Sequence, residues 1–277
     1  MKLVISFSGG RTSGYMTKWL LENIAPLYDE TIVTFANTGQ EHPATLDFVN
    51  ACDTIFGFNT VWLEAVVHHG QRKGNTARVV TYETASRNGE PFEQAIKKHG
   101  IPNMTFPTCT RELKTTPMTN YLRSIGWASG DYVTAIGIRS DETRRVRKDQ
   151  CEANIIYPLV DMHPVDKQDV LDWWSNQIFD LQIAEHHGNC TWCWKKSINK
   201  HMHVIHENPT AFDFPKRMEA TYPLVGPDKP TTPRRFFRGF LSVDDMFEMY
   251  RGLDGVLPKI YKDSGNCSES CELYPTE

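Results

Sequence analysis

Residues 6–16 read SFSGGRTSGYM and follow the apolar run MKLVI. A short apolar run of this kind reads as a buried strand. Beyond the glycines, SGYMTKWLLENI spaces Tyr15, Trp19 and Ile24, with Met16 and Leu20, at helical intervals. Gly9 and Gly10 therefore fall in the turn between a strand and a helix. Glycines permit a tight turn there, and the helix start then presents several backbone N–H groups to an anion. The hydroxyls of Ser8, Thr12 and Ser13 lie in the same loop, and Arg11 is of the type that meets a phosphate bidentately. The order GxxxxGK[ST] is absent, so this is not the common P-loop. A glycine turn that only reverses the chain is the alternative reading.

The neighbouring segments decide the fold class. TIVTFA at Thr31–Ala36 reads as a second strand, HPATLDFVNACDTIFGF as a helix with Pro43 in its first turn, and NTVWLEA as a third strand. This order predicts an α/β fold: a Rossmann-like, mostly parallel sheet with helices on both faces. Asn37, Thr38, Gly39 and Glu41 follow the second strand, in the crevice where open parallel sheets bind ligands. Residues 66–90 read as a loop, GEPFEQAIKKHG as a helix, and ELKTTPMTNYLRSIG as a helix interrupted by Pro117. A strand is expected at Asp131–Ile138, then a basic turn, then an amphipathic helix within HPVDKQDVLDWWSNQIFDL. Residues 220–239 look irregular, and SVDDMFEMYRGL reads as a last helix capped by Ser242. The expected division is a nucleotide-binding part, 1–185, and a smaller cysteine-containing C-terminal part, 186–277, packed on the site.

The chain has 277 residues, with 30 Lys and Arg against 34 Asp and Glu, for a formal charge of −4. No global basic field attracts nucleic acid. No apolar run approaches the roughly 18 residues of a membrane span, and an intracellular, cytoplasmic, non-membrane protein is expected. The seven cysteines are Cys52, Cys109, Cys151, Cys190, Cys193, Cys267 and Cys271. Disulfides are not expected in that compartment. Cys52 and Cys151 read as buried small hydrophobes.

Cys190 and Cys193 form a CxxC within HHGNCTWCWKKS. Two thiolates so close can share a metal or a cluster, or form a redox pair. Zinc held by Cys190, Cys193, Cys267 and Cys271 is one such arrangement. Arg139, Glu142, Arg144 and Arg145 follow the strand ending at Ile138 and read as phosphate or sulfate ligands linked by Glu142, with Lys114 a further counter-charge. Lys148 and Arg145 also read as plain solvated charges. Glu41 is the nearest candidate for Mg2+ if ATP is used. Lys195, Lys196, Lys200, His201 and His203 follow the CxxC, and Arg234, Arg235 and Arg238 interleave with Phe236 and Phe237. Such a strip leaves a nucleic-acid strand open as a partner. A core edge with solvated lysines is the blander reading.

These motifs resemble the phosphoadenosine-phosphosulfate reductase group of the adenine-nucleotide α-hydrolase superfamily. SGGRTS resembles its SGGxxS phosphate loop, and FANTGQEHPATLDFV its second-strand segment. TCTRELKTTPM resembles CCxxRKxxPL, with Cys109 as the first cysteine, Thr110 in place of the second, and Lys114 and Pro117 in register. GIRSDETRR, from Gly137, resembles GxRxxES with Thr143 replacing the serine, and YPLVDMHPVDKQDV resembles a Pro-Leu segment leading into an Asp-Val helix. The similarity spans roughly residues 3–200. It implies an adenine nucleotide (PAPS, APS or ATP) with its phosphates on the first loop. It also implies a [4Fe–4S] cluster on Cys109, Cys190 and Cys193, completed by Cys267 or Cys271 or left with an open iron.

The first activity implied is reductive cleavage of adenylyl sulfate, or its 3′-phosphorylated form, to sulfite and an adenosine phosphate. Cys271 would be the nucleophile, Lys114, Arg139 and Arg144 would act around the sulfate, and a thiol would be the reductant. The alternative is an ATP pyrophosphatase that adenylates a carbonyl substrate, such as a nucleobase, for thiolation with a sulfur donor. A non-catalytic nucleotide- and metal-binding module is the third. Oligomeric state stays open.

Overall fold

Leu3, Val4 and Ile5 are all buried, which requires cover on both faces of the strand they form. In the computed structural model, which describes residues 1–70, 73–227 and 229–260, that strand is β1 (Lys2–Ser6). It lies inside a six-stranded sheet. On one side it pairs in parallel with β2 (Thr31–Ala36), Leu3 beside Thr31, and β3 (Val61–Val67) continues the sheet in parallel. β4 (Asn75–Val80) closes that edge antiparallel to β3. On the other side β5 (Tyr132–Ile136) pairs in parallel with β1, Ser6 beside Ile136, followed by β6 (Ile155–Ile156). The chain thus runs outward from β1 through β3, then returns across β1. Such a reversal leaves a crevice beyond the carboxyl ends of the strands.

The longer helices are α1 (Arg11–Asn23), α2 (Pro43–Phe56), α3 (Glu90–His99), α4 (Thr116–Ser124), α5 (Lys167–Ser175), α6 (Ile198–Glu207), α7 (Asp213–Thr221) and α8 (Val243–Arg251). Successive strand residues face opposite ways. Leu3 and Ile5 join Met16, Leu20, Val49 and Trp174 of α1, α2 and α5. Val4 faces the other way, to Leu122 of α4 and Trp127. A third core gathers Phe92, Trp192, Trp194, Met202, Met218 and Met246 from α3, the CxxC turn, α6, α7 and α8, with Phe236 from the stretch between α7 and α8.

Three local expectations change. Residues 66–90 contain β4, whose edge position leaves it mostly exposed, so it carries no apolar stripe. Pro117 does not interrupt a helix: Thr108–Thr110, the π turn Arg111–Thr115 and α4 run on without a break, and Pro117 lies just after the π turn. α6 and α7 fall where no helix was expected. The cap of α8 is as expected: Asp245 N donates to Ser242 Oγ at 3.1 Å, and Ser242 N donates back to the Asp245 carboxylate at 2.7 Å.

Candidate functional site

The loop between β1 and α1 is closed by its own serines. Ser8 N donates to Ser13 Oγ at 3.2 Å, the two hydroxyls lie 2.9 Å apart, and Ser13 Oγ donates to Gly10 O at 3.0 Å. Gly9 has φ +79°, and a Cβ there would lie 2.7 Å from Thr45 Cγ2. The loop is therefore pressed flat on α2. Gly10 is the N-cap of α1 and brings no capping side chain, so the first N–H groups of the helix are offered to the crevice. A Cβ on Gly137, just past β5, would lie 3.1 Å from Ser13 Cα, so the β5 end and the loop are in contact. Ser8, Gly9, Gly10 and Arg11 line one cavity, covered by Glu185, Gly188 and Asn189.

The arginines are placed differently from the expectation. Arg11 gives both Nε and Nη2 to the Asp180 carboxylate, at 2.7 and 2.9 Å, and also bonds Leu181 O. This pair braces α1 to the segment after α5. Arg139 is buried, with Nη1 on Thr12 Oγ1 at 3.1 Å and Nε on Asp141 at 2.9 Å. Glu142 joins Arg139 and Arg145 in the turn Ser140–Arg145. Arg145 is thus buried rather than solvated, because a buried carboxylate needs a counter-charge. Arg144 is the exposed member.

Beyond β2, Asn37 Nδ2 donates to Glu64 at 2.7 Å and Ser86 O at 2.8 Å, while its Oδ1 accepts from Gly39 N at 3.1 Å. Glu41 accepts from Thr38 N and Thr38 Oγ1, each at 2.9 Å. The residue expected to serve Mg2+ thus braces its own turn. Thr38 Oγ1 lies 3.5 Å from Cys190 Sγ, and Glu41 bridges Cys190 as an isolated antiparallel pair. The crevice of β2 therefore touches the CxxC directly.

Cys109, Thr110, Lys114, Cys190 and Cys193 line a common cavity with Thr38, walled by Phe92, Trp192 and Trp194. Asn189 lines this cavity and the phosphate-loop cavity alike. Cys193 N donates to Cys190 O at 2.9 Å, and the buried Lys196 Nζ holds Cys190 O and Thr191 O at 3.1 and 2.7 Å. Three thiols in an apolar-walled cavity beside Lys114 suit an iron–sulfur cluster. Zinc on Cys190, Cys193, Cys267 and Cys271 rests on two residues outside the described ones. Thr110 Oγ1 is buried without a hydrogen-bond partner where the related motif has a second cysteine. Cys267 and Cys271 lie outside the described residues.

Outside these cavities, Cys52 is buried, and burial raises its thiol pKa. Cys151, expected to be buried, is exposed. The basic stretch after the CxxC is largely internal. Lys200 pairs with Glu185 at 2.9 Å, Phe236 and Phe237 are core residues, and Arg234 lies buried over the Phe106 ring. Lys195, His203, Arg235 and Arg238 are the partly exposed members of the basic and aromatic strip. Burial pushes Glu185 up, but hydrogen bonds and charge from Lys167 and Lys200 outweigh it and hold the carboxyl at about 2. Asp180, Asn189 and the His186–His187 pair escaped the sequence reading. Only HHG, directly before the CxxC, offered a signal.

Residues 2–175 match the phosphoadenosine phosphosulfate reductase domain. The chain belongs to that family. The matched span holds the whole sheet and α5, and ends before the CxxC. The chain is also similar to the "Uncharacterized nin region protein ORF290" of Escherichia phage lambda, at 34% identity over 283 residues, covering 98% of this chain and 94% of that protein. Among the described residues, no helix is long and apolar enough to cross a membrane.

Proposed function

We propose that this family member cleaves ATP between the α- and β-phosphates, adenylates an acceptor and replaces the adenylate with sulfur. The observation that carries this is Asn189, which joins the phosphate-loop cavity to the cavity of Cys109, Cys190 and Cys193. In the reaction an acceptor carbonyl oxygen attacks the α-phosphorus and pyrophosphate leaves. Sulfide then attacks the adenylated carbon and displaces AMP; with a persulfide donor the same attack leaves a disulfide, which a second thiol cleaves to free the thio product. Ser8–Ser13 and the start of α1 would hold the pyrophosphate portion, Asn37, Thr38 and Gly39 the rim of the nucleotide site, and Lys114 would offset thiolate charge. A cluster on the three cysteines would, when bound, supply a site for sulfide or electrons. The division of labour places the nucleotide on 1–185 and the sulfur on 186–277, with Cys109 reaching across.

ATP is favoured because the buried Arg139 and Arg145 are already engaged by Thr12, Asp141 and Glu142, and because Thr110 supplies no second thiolate. Reductive cleavage of (phospho)adenylyl sulfate is the second reading. The placement of Lys114 beside Cys109 favours it, with Arg144 near the sulfate and Cys271 as nucleophile. The test is anaerobic incubation with phosphoadenosine phosphosulfate plus a thiol, or with ATP, sulfide and a carbonyl-bearing acceptor such as a nucleobase. Pyrophosphate and AMP, lost in Ser13→Ala, are expected. Sulfite release that vanishes in Cys271→Ser would overturn the ATP reading in favour of the second. No turnover of either nucleotide would leave a binding module.

A further inference from the structure

Two adjacent histidines precede the CxxC turn, and the chemistry above uses neither. His186 and His187 close the short turn Glu185–His187. Their Nε2 atoms meet the same oxygen, Oε2 of Glu207 at the end of α6, at 2.9 and 2.7 Å. Among the described residues, this is the group of His, Cys, Asp or Glu side chains whose donor atoms all lie within 4.8 Å of one another. The histidine side chains are only 11% and 12% exposed, whereas Glu207 is 39% exposed. The donors are thus held inside, with an entrance beside the carboxylate. His187 Nδ1 is buried with no hydrogen-bond partner, and Nε2 is the ring nitrogen turned to Glu207.

We propose that His186, His187 and Glu207 bind a first-row transition-metal dication, with zinc the best match, at a site separate from the cysteine cavity. Two imidazoles and a carboxylate select zinc and its neighbours over magnesium or calcium. A tetrahedral ion with bonds of about 2.0–2.1 Å sets its donors about 3.3 Å apart. The present spacings of 2.9 and 2.7 Å need to open by only about half an ångström, which side-chain rotation supplies. On binding, each ring keeps one proton, carried on Nδ1, and the Nε2 lone pairs and the Glu207 carboxylate face the ion. His203 stands beside His186, but its Nε2 meets Pro258 O at 2.9 Å. His42 stands beside His187, but its Nδ1 accepts from Ala44 N at 3.2 Å. Neither offers those nitrogens, so the remaining position faces solvent and takes water.

The site has a consequence for the nucleotide cavity. Glu185, Gly188 and Asn189, which flank the two histidines, cover the phosphate loop. The ion ties that cover to α6, whichever nucleotide binds beneath it.

The full-length protein, stripped with chelator and kept reduced, is dialysed against Zn2+ and examined at the zinc absorption edge. One bound equivalent with a nitrogen and oxygen shell at about 2.0–2.1 Å is expected. Measured in a Cys190→Ser/Cys193→Ser background, which removes the CxxC thiolates as competing ligands, affinity falls at least tenfold when His187→Ala or Glu207→Gln is added. A sulfur shell at about 2.3 Å, or affinity unchanged in Glu207→Gln, overturns the proposal. Glu207 is partly exposed, so Glu207→Gln decides the matter if His187→Ala does not fold.

Discussion

At Gly9 two constraints meet in one residue. Its φ of +79° lies in the left-handed region, and an added Cβ would lie 2.7 Å from Thr45 Cγ2. Gly9→Ala is therefore expected to lose about 1–3 kcal/mol, read from urea unfolding. Adding Thr45→Ser removes the colliding methyl but leaves the backbone strain. Partial recovery in the double variant is the expected result, and full recovery or none would show that only one constraint matters. Arg11 makes a second case. Its pair with Asp180 is half-buried, at 13% and 31% exposed, so Asp180→Ala is expected to cost about 1–3 kcal/mol. A double-mutant cycle with Arg11→Ala should return a coupling above zero. The glycine loop was legible because a turn between strand and helix is a local matter. The role of Arg11 was not, because its partner lies 169 residues away.

Elements follow the same division. β1, β2 and α2 show in the sequence because each buries a regular apolar face. β4 does not, being an exposed edge strand paired only to β3. α6 was missed because Lys200 and His201 occupy buried positions, which breaks the apolar period a helix normally shows. The π turn Arg111–Thr115 was also hidden. Its effect is to carry the chain from Cys109 past Lys114 into α4 without a break at Pro117. Such turns are frequent at functional sites. The capping box of α8, by contrast, is a local signal in the sequence. Ser242→Ala leaves Asp245 N without its partner and is expected to cost about 1 kcal/mol. Ser242→Asp keeps an acceptor in place and should recover most of that. The shift in thermal midpoint across the three proteins checks this, and equal midpoints for Ser242→Ala and wild type would dismiss the cap.

Across the whole molecule, the candidate site lies where two cores meet. One core fills the sheet against α1, α2 and α5, and the other joins α3 to the C-terminal helices through Trp192 and Trp194. The CxxC was legible as a pair of close thiols, and resemblance alone linked Cys109 to it, since about eighty positions separate them in the chain. The second core also carries an unusual group. His201 is fully buried against Phe212 and Phe237, and neither ring nitrogen has a hydrogen-bond partner. Burial above all, then the charges of Lys196 and Arg238, holds its pKa well below the ordinary value. The folded protein keeps the ring neutral, while the unfolded chain takes a proton near pH 6.5. Above that pH neither state is protonated and His201 has no effect on the balance. Below it the unfolded state binds the extra proton, so stability falls with pH, by up to about 1.4 kcal/mol per unit from this one group. The urea midpoint should therefore decline between pH 7.5 and 5.5, and decline less steeply in His201→Phe, which keeps a ring between Phe212 and Phe237. Other histidines contribute to both curves, so the difference between the two slopes isolates His201. Parallel curves would mean that the ring gains its proton without leaving the core, and that the second core tolerates a charge that its burial should exclude.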